Sequence, residues 1–179
     1  ASCATAIVCW CAHRVETVCA APHCFPPPPV ISHAIPGYHR GRKTGYADGI
    51  VISPSHNPPD EGGFKYNPPN GGPADVDVTG WIEKAANAFV AKKLDGIISI
   101  PFERARKSAC IHAHDYITPY VADLANVVDL EAIRAAGVRI GIDPLGGAAV
   151  QYWQPITERY KIAATVVNDA VDPAFSFMT

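Results

Sequence analysis

Short continuous apolar runs alternate along this chain with longer stretches in which apolar residues return every three or four positions. Residues 47–53, Ala-Asp-Gly-Ile-Val-Ile-Ser, are of the first kind and predict a strand buried on both faces. Ahead of it, Val30-Ile31-Ser32-His33-Ala34-Ile35 is short enough for a strand or one helical turn, and Pro36-Gly37 is expected to break it. The run from Phe25 through Pro29 is expected to be extended. From Thr79, an N-cap residue type, Trp81, Ile82, Ala85, Ala86, Phe89 and Val90 mark one helical face. Lys92 and Lys93 close that helix, as its dipole favours. Residues 96–100, Gly-Ile-Ile-Ser-Ile, read as a strand or an extended link. Asp115 is placed to cap a second helix with Ile117, Tyr120, Val121 and Leu124 on one side. Asp129 is placed to cap a third, short one that ends at Gly137.

The pattern then changes. Residues 138–143 predict a strand, Pro144-Leu145-Gly146-Gly147 a tight turn, and 148–160 a helix with Val150, Trp153, Ile156 and Tyr160 inward. Residues 162–167 predict a further strand. Strand, turn, helix and strand make the unit of an open α/β sheet, whose crossover is expected to be right-handed. A boundary near residue 136 follows. The part after it is too short for an independent core, and the chain's end at Phe-Ser-Phe-Met-Thr reads as cut.

Composition narrows the classes. The chain has 179 residues, 48% hydrophobic and 18% charged, which suits one globular domain or one and a fraction. A formal net charge of -2 gives no broad reason to expect nucleic acid or an acidic membrane as partner. No apolar run reaches the length of a membrane span. The first residue is Ala1, with no basic segment before the apolar stretch 6–11, so a secretory signal is not expected. Cysteine is anomalous: Cys3, Cys9, Cys11, Cys19 and Cys24 crowd the first 24 residues, and Cys110 stands alone. A zinc site with His13 and His23 is one reading and a disulfide cluster another. No Cys-x-x-Cys pair supports the first. The reading adopted is an atypical segment, 1–24, without resemblance to any known family and either poorly ordered or loosely packed on the rest.

The stretch with the most chemistry is residues 52–72, ISPSHNPPDEGGFKYNPPNGG. Pro54, Pro58 and Pro59 stiffen a loop around Ser55 and His56, and Lys65 follows ten residues past the serine. A hydroxyl fixed beyond a buried strand is a positioned nucleophile, and His56 or Lys65 can handle a proton or offset oxyanion charge. The acyl-transfer elbow Gly-x-Ser-x-Gly is absent, since Ser53 and Asn57 stand two residues to either side. No Gly-x-x-x-x-Gly-Lys-[Ser/Thr] phosphate loop is present either. Taken alone, these residues leave a rigid surface loop and a reactive loop both open. Two weaker phosphate candidates are equally open to plain readings. The basic loop 39–45 also fits a solvated turn, and Gly146-Gly147 a simple strand-to-helix turn.

The longer stretch ADGIVISPSHNPPDEGGFKYNPPNGGPAD, residues 47–75, resembles the active-site serine loop of the alpha-D-phosphohexomutases, and the bacterial phosphoglucomutases most closely. PPVISHAI, RGRKTGYADG, VTGWIEKAAN, GIDPLGG and VNDAVDPAFSFM extend the likeness over residues 25 to 179. The resemblance implies an α/β fold: residues 25–136 as part of a phosphohexomutase-type mixed-sheet domain I, and 137–179 as the start of a like domain II. It implies an isomerase that interconverts glucose 1-phosphate and glucose 6-phosphate through a phosphoserine and glucose 1,6-bisphosphate. By position, Ser55 is the phosphoserine and Lys65 the lysine beside the transferring phosphate. His56 and Asn57 shape or hydrogen-bond that phosphate. The cofactor implied is Mg²⁺, bound in part by the Ser55 phosphate. The implied partner is a sugar phosphate and the implied compartment the cytoplasm. A phosphomannomutase is the alternative enzyme, and a truncated relic or binding module the alternative without catalysis.

The chain also departs from that pattern. Ser53, Pro26 and Pro28 stand where related sequences carry threonine. The arginine-bearing segment ahead of the serine loop, the Asp-x-Asp-x-Asp-Arg metal loop, the sugar-recognition loop and the C-terminal phosphate-binding domain are all missing. The resemblance therefore implies a fragment inactive on its own.

Overall fold

The computed structural model describes residues 18–20 (backbone only), 26–53, 57–58, 61–105, 107–172, 174 and 176. Six helices and six strands are laid out in them. In order they are β1 (Val18–Ala20), α1 (Pro28–His39), β2 (Gly49–Ser53), β3 (Gly63–Asn67), α2 (Val76–Ala91) and α3 (Phe102–Ala105). Then come β4 (Ile111–Ala113), α4 (Ile117–Asp123), a 3₁₀ turn (Leu124–Asn126), α5 (Leu130–Ala135), β5 (Ile140–Ile142), α6 (Val150–Tyr160) and β6 (Ala164–Val166). The strands pair two by two: β1 with β4 and β5 with β6 in parallel, β2 with β3 antiparallel. The architecture is α/β, as expected.

Helix α1 overturns two expectations. Pro28 and Pro29 open it, whereas Pro27 before them is extended (ψ 155°). A proline in the first turn has φ near the helical value already, and the N–H it lacks would have had no partner there. The helix then runs through Pro36 to His39. A mid-helix proline cannot bond the carbonyl four residues back, here that of Ser32, and ordinarily disrupts the helix. It persists because α1 is pinned on both sides: Val30 and Ile35 are buried, and Pro36 itself lies against Gly71.

The core collects Val30 of α1, Tyr116 and Val121 at α4, and Tyr152 and Ile156 of α6. Ile31, Ile117, Tyr120, Leu124, Trp153 and Tyr160 pack around them. The inward set expected for the α4 and α6 segments is thus largely found, with Tyr152 added. The core crosses residue 136, because Tyr160 donates its hydroxyl proton to Val121 O at 2.6 Å. Both expected caps form. Asp115 accepts from the N–H groups of Ile117 and Thr118, and Asp129 from that of Ala132.

Other boundaries moved. Helix α2 starts at Val76, so Thr79 is inside its first turn, its hydroxyl donating back to Asp75 O and Val76 O. The segment 97–100 is irregular and exposed. The strand read as buried on both faces is buried on one, with Val51 inside and Ile50 38% exposed on the other. Within the cysteine-rich segment, residues 18–20 are a strand held against β4, not loose chain. The cysteines and histidines invoked for zinc or disulfides either lie outside the described residues or have no described side chain.

Candidate functional site

The region singled out by sequence is a β-hairpin. β2 and β3 pair with Gly49 opposite Asn67, Val51 opposite Lys65 and Ser53 opposite Gly63. Residues 54–62 therefore connect the two strands. Ser55 and His56 belong to this connection and lie outside the described residues. Asn57 is exposed, and Glu61 donates its N–H to Pro58 O at 2.9 Å, closing a turn. Lys65 is not in a loop: it occupies the centre of β3, half-buried. Phe64 and Tyr66, aromatics alternating with polar residues between glycine and Asn-Pro, are the signal that marks this strand.

Side chains on paired residues share a face. Gly49, Val51, Lys65 and Asn67 thus lie on one side of the hairpin, with Ile50, Ile52, Phe64 and Tyr66 on the other. Helix α1 covers the first side. A Cβ added to Gly49 would lie 2.7 Å from Ile31 Cγ2 and 2.9 Å from Ile35 Cδ1, so glycine is what allows the helix to sit on the strand backbone. Asn67 is buried, 6% exposed, and its Nδ2 donates to Ser32 Oγ at 3.1 Å and to Gly71 O at 3.0 Å. On the open side, Tyr66 donates its hydroxyl proton to Asp48 Oδ2 at 2.9 Å. Partial burial, then the Asp48 hydrogen bond and charge, push the phenol above its ordinary value.

The basic loop and Gly146-Gly147 fall elsewhere. Arg40, Arg42 and Lys43 precede β2, whereas residue 55 follows it, and four strand rises separate the strand's ends by about 13 Å. Arg42 lies over the Tyr38 ring at 4.1 Å, and Ala47 donates its N–H to His39 at 2.8 Å, which closes this loop on α1. Gly147 donates its N–H to Pro144 O, and Gly146 O accepts from Asp172. The turn's groups are engaged by the chain itself, as a strand-to-helix connection requires. Asp143, at the end of β5, accepts from Leu145 N–H and from Asn168 Nδ2.

Among the described residues no three His, Cys, Asp or Glu side chains converge as metal ligands. These described side chains do not by themselves form a Mg²⁺ cage. No helix among these residues is long and apolar enough to cross a membrane.

Comparison with known proteins agrees with this geometry. The description "Phosphoglucomutase/phosphomannomutase, alpha/beta/alpha domain I" matches residues 4–92, and that of domain II matches residues 118–179. The first match begins within the cysteine-rich segment, and the second takes in α6 and all of α4 but its first residue. A phosphoglucomutase from Komagataeibacter xylinus is 58% identical over 168 residues, covering 94% of this chain and 30% of that protein. A phosphoglucosamine mutase from Prochlorococcus marinus is 32% identical over 108 residues, covering 60% of this chain and 20% of its own. Among solved structures, a phosphomannomutase-type protein from Thermus thermophilus superposes with a TM-score of 0.56 at 21% identity. That match covers 84% of this chain and 30% of the other, and at such identity it speaks for the fold alone. The chain spans less than a third of the length of these relatives. It belongs to the phosphoglucomutase/phosphomannomutase family, of which it carries domain I and domain II sequence.

Proposed function

We propose that this chain is the phosphoryl-carrying part of a phosphoglucomutase, with Ser55 as the residue that holds the phosphate. The observation that carries this reading is the 58% identity to the Komagataeibacter phosphoglucomutase over nearly the whole chain. The hairpin supports it, since β2 and β3 bracket the serine-bearing connection and hold Lys65 on the face toward α1. In the reaction, the bond between phosphorus and Ser55 Oγ breaks as a sugar hydroxyl oxygen bonds to phosphorus, and the proton that hydroxyl gives up ends on Ser55 Oγ. The glucose 1,6-bisphosphate so formed turns over and returns its other phosphate to Ser55. Such a transfer needs alignment and charge neutralisation more than covalent assistance. The Lys65 ammonium supplies positive charge for the transferring oxygens, and His56 and Asn57 hydrogen-bond them.

Acting alone, the chain is proposed not to turn over. Helix α2 has no buried residue, and the Asp-x-Asp-x-Asp-Arg loop is absent from the sequence. The test is a chimera in which residues 30–160 of this chain replace their counterpart in the Komagataeibacter enzyme. The chimera should interconvert glucose 1-phosphate and glucose 6-phosphate, and Ser55→Ala within it should lose at least about 10³-fold in kcat. The isolated chain should show no turnover. Equal rates for the chimera with and without the serine would remove the proposal.

A further inference from the structure

Hydrophobic pattern does not fix the pairing of this hairpin. β2 is apolar on both faces, Ile50 and Ile52 on one and Val51 on the other, so a one-residue slip loses little burial from that strand. Such a slip nevertheless moves every side chain of β3 to the opposite face. Lys65 would leave the α1 side, and Phe64 would take its place. Gly49 holds β2 in place under α1, since a Cβ there would collide with Ile31 and Ile35, but it does not decide which face β3 turns to the helix. A buried amide is different, because an N–H left without a partner keeps the full cost of its lost hydration.

Asn67 meets that description. Both Nδ2 hydrogens are used, one by Ser32 Oγ on α1 and one by Gly71 O in the turn after β3. The turn cannot move to follow a slip. Gly71 has φ +83°, and a Cβ there would lie 2.5 Å from Ser32 O and 2.9 Å from Pro36 Cδ. The helix backbone, the turn and the amide therefore meet at one place in one register only. We infer that Asn67 is a positioning residue that selects the register of β2 and β3 and thereby puts Lys65 on the α1 side. This inference rests on the phosphoryl-transfer reading for its functional consequence, but not for its structural one.

The structural arm uses the 179-residue chain, comparing it with Asn67→Leu, which keeps the number and branching of side-chain heavy atoms and removes the hydrogen bonds. Nuclear Overhauser contacts between Ile52 and Phe64, and between Val51 and Lys65, report the native register. They should weaken or divide between two registers in Asn67→Leu, while amide protection in α6 stays within about twofold. Undisturbed cross-strand contacts would overturn the proposal. So would loss of α6 protection along with them, because Asn67 would then serve general stability. Ser32→Ala should reproduce part of the effect, and Ser32→Thr, which keeps the hydroxyl, should not. The kinetic arm uses the chimera: Asn67→Leu should lower kcat by at least about 10²-fold, the scale of a single ångström of misplacement, with KM within about twofold. A rise in KM at constant kcat would overturn it. If the chimera were indifferent to Ser55→Ala, the function would fall while the register result stood by itself.

Discussion

Gly71 and Gly41 both have positive φ, +83° and +77°, but they differ in what surrounds them. Nothing lies within 4 Å of a Cβ built on Gly41, so Gly41→Ala meets only the left-handed backbone penalty, about 1–2 kcal/mol. Gly71→Ala adds a collision with Ser32 O and Pro36, and the helix carrying them is packed on its other side by α4. Urea unfolding should show Gly71→Ala destabilised by at least about 2 kcal/mol more than Gly41→Ala. A second residue-scale expectation concerns acid. His33 Nε2 lies 2.8 Å from Asp123 Oδ2; this hydrogen bond first, and one from Asn126 second, hold the Asp123 carboxyl below the ordinary carboxylate value. A lowered folded pKa means that the stabilisation is complete above the unfolded value, about 3.9, and fades as pH falls through the folded one. Asp123→Asn should therefore lower the urea midpoint at pH 6 and have no effect below the folded pKa.

Among the elements, α2 is the extreme case. Its sixteen residues include none that is buried; Trp81 is 69% exposed and Phe89 and Val90 are exposed as well. Isolated helices of this length are marginal in water. Amide exchange in α2 should be faster than in α6 by at least about tenfold, and equal protection would show that something holds its apolar face. That face was legible in the sequence, because a 3.6-residue period records what a helix can bury, whether or not a partner is supplied. Asp115 and Asp129 were legible for a local reason: a cap needs only its own carboxylate and the next few amides. Helix α1 was not, since proline argues against a helix locally and the contacts that overrule it, at Gly49, Asn67 and Gly71, come from up to forty residues away. Lys65 was read as a loop residue because Gly, Pro and Asn dominate its surroundings, and Phe64 and Tyr66 were too brief an alternation to outweigh them. The family and the position of the serine were legible in a long motif, whereas the hydrogen bonds of Asn67 depend on partners no local pattern reveals.

For the molecule as a whole, each pair of strands leaves outer edges open among the described residues. The hairpin face bearing Ile50 and Phe64, the stripe of α2, and Ile97, Ile98 and Phe102 after it remain exposed. Monomeric proteins seldom leave so much apolar surface uncovered, and unpaired strand edges invite further pairing. Sedimentation velocity should show association that grows with concentration, and Trp81→Glu should reduce it. A single monomeric species up to ~100 μM, the top of the micromolar range in which such surfaces drive aggregation, would count against this.

Ser32 and His33 share one peptide unit of α1. The first joins the hairpin through Asn67, and the second joins α4 through Asp123. A peptide unit is planar and resists twisting, so play between these two joints is confined to the side-chain torsions of Ser32 and His33. The strand carrying Lys65 and the helix carrying Asp123 are far apart in sequence but hang mechanically from a single rigid plate. A shift of α4 cannot be absorbed by slack in α1. Beyond what those side-chain torsions take up, it pulls on β3 or breaks one of the two hydrogen bonds, and the weaker of them sets how far the two halves of the chain can move independently.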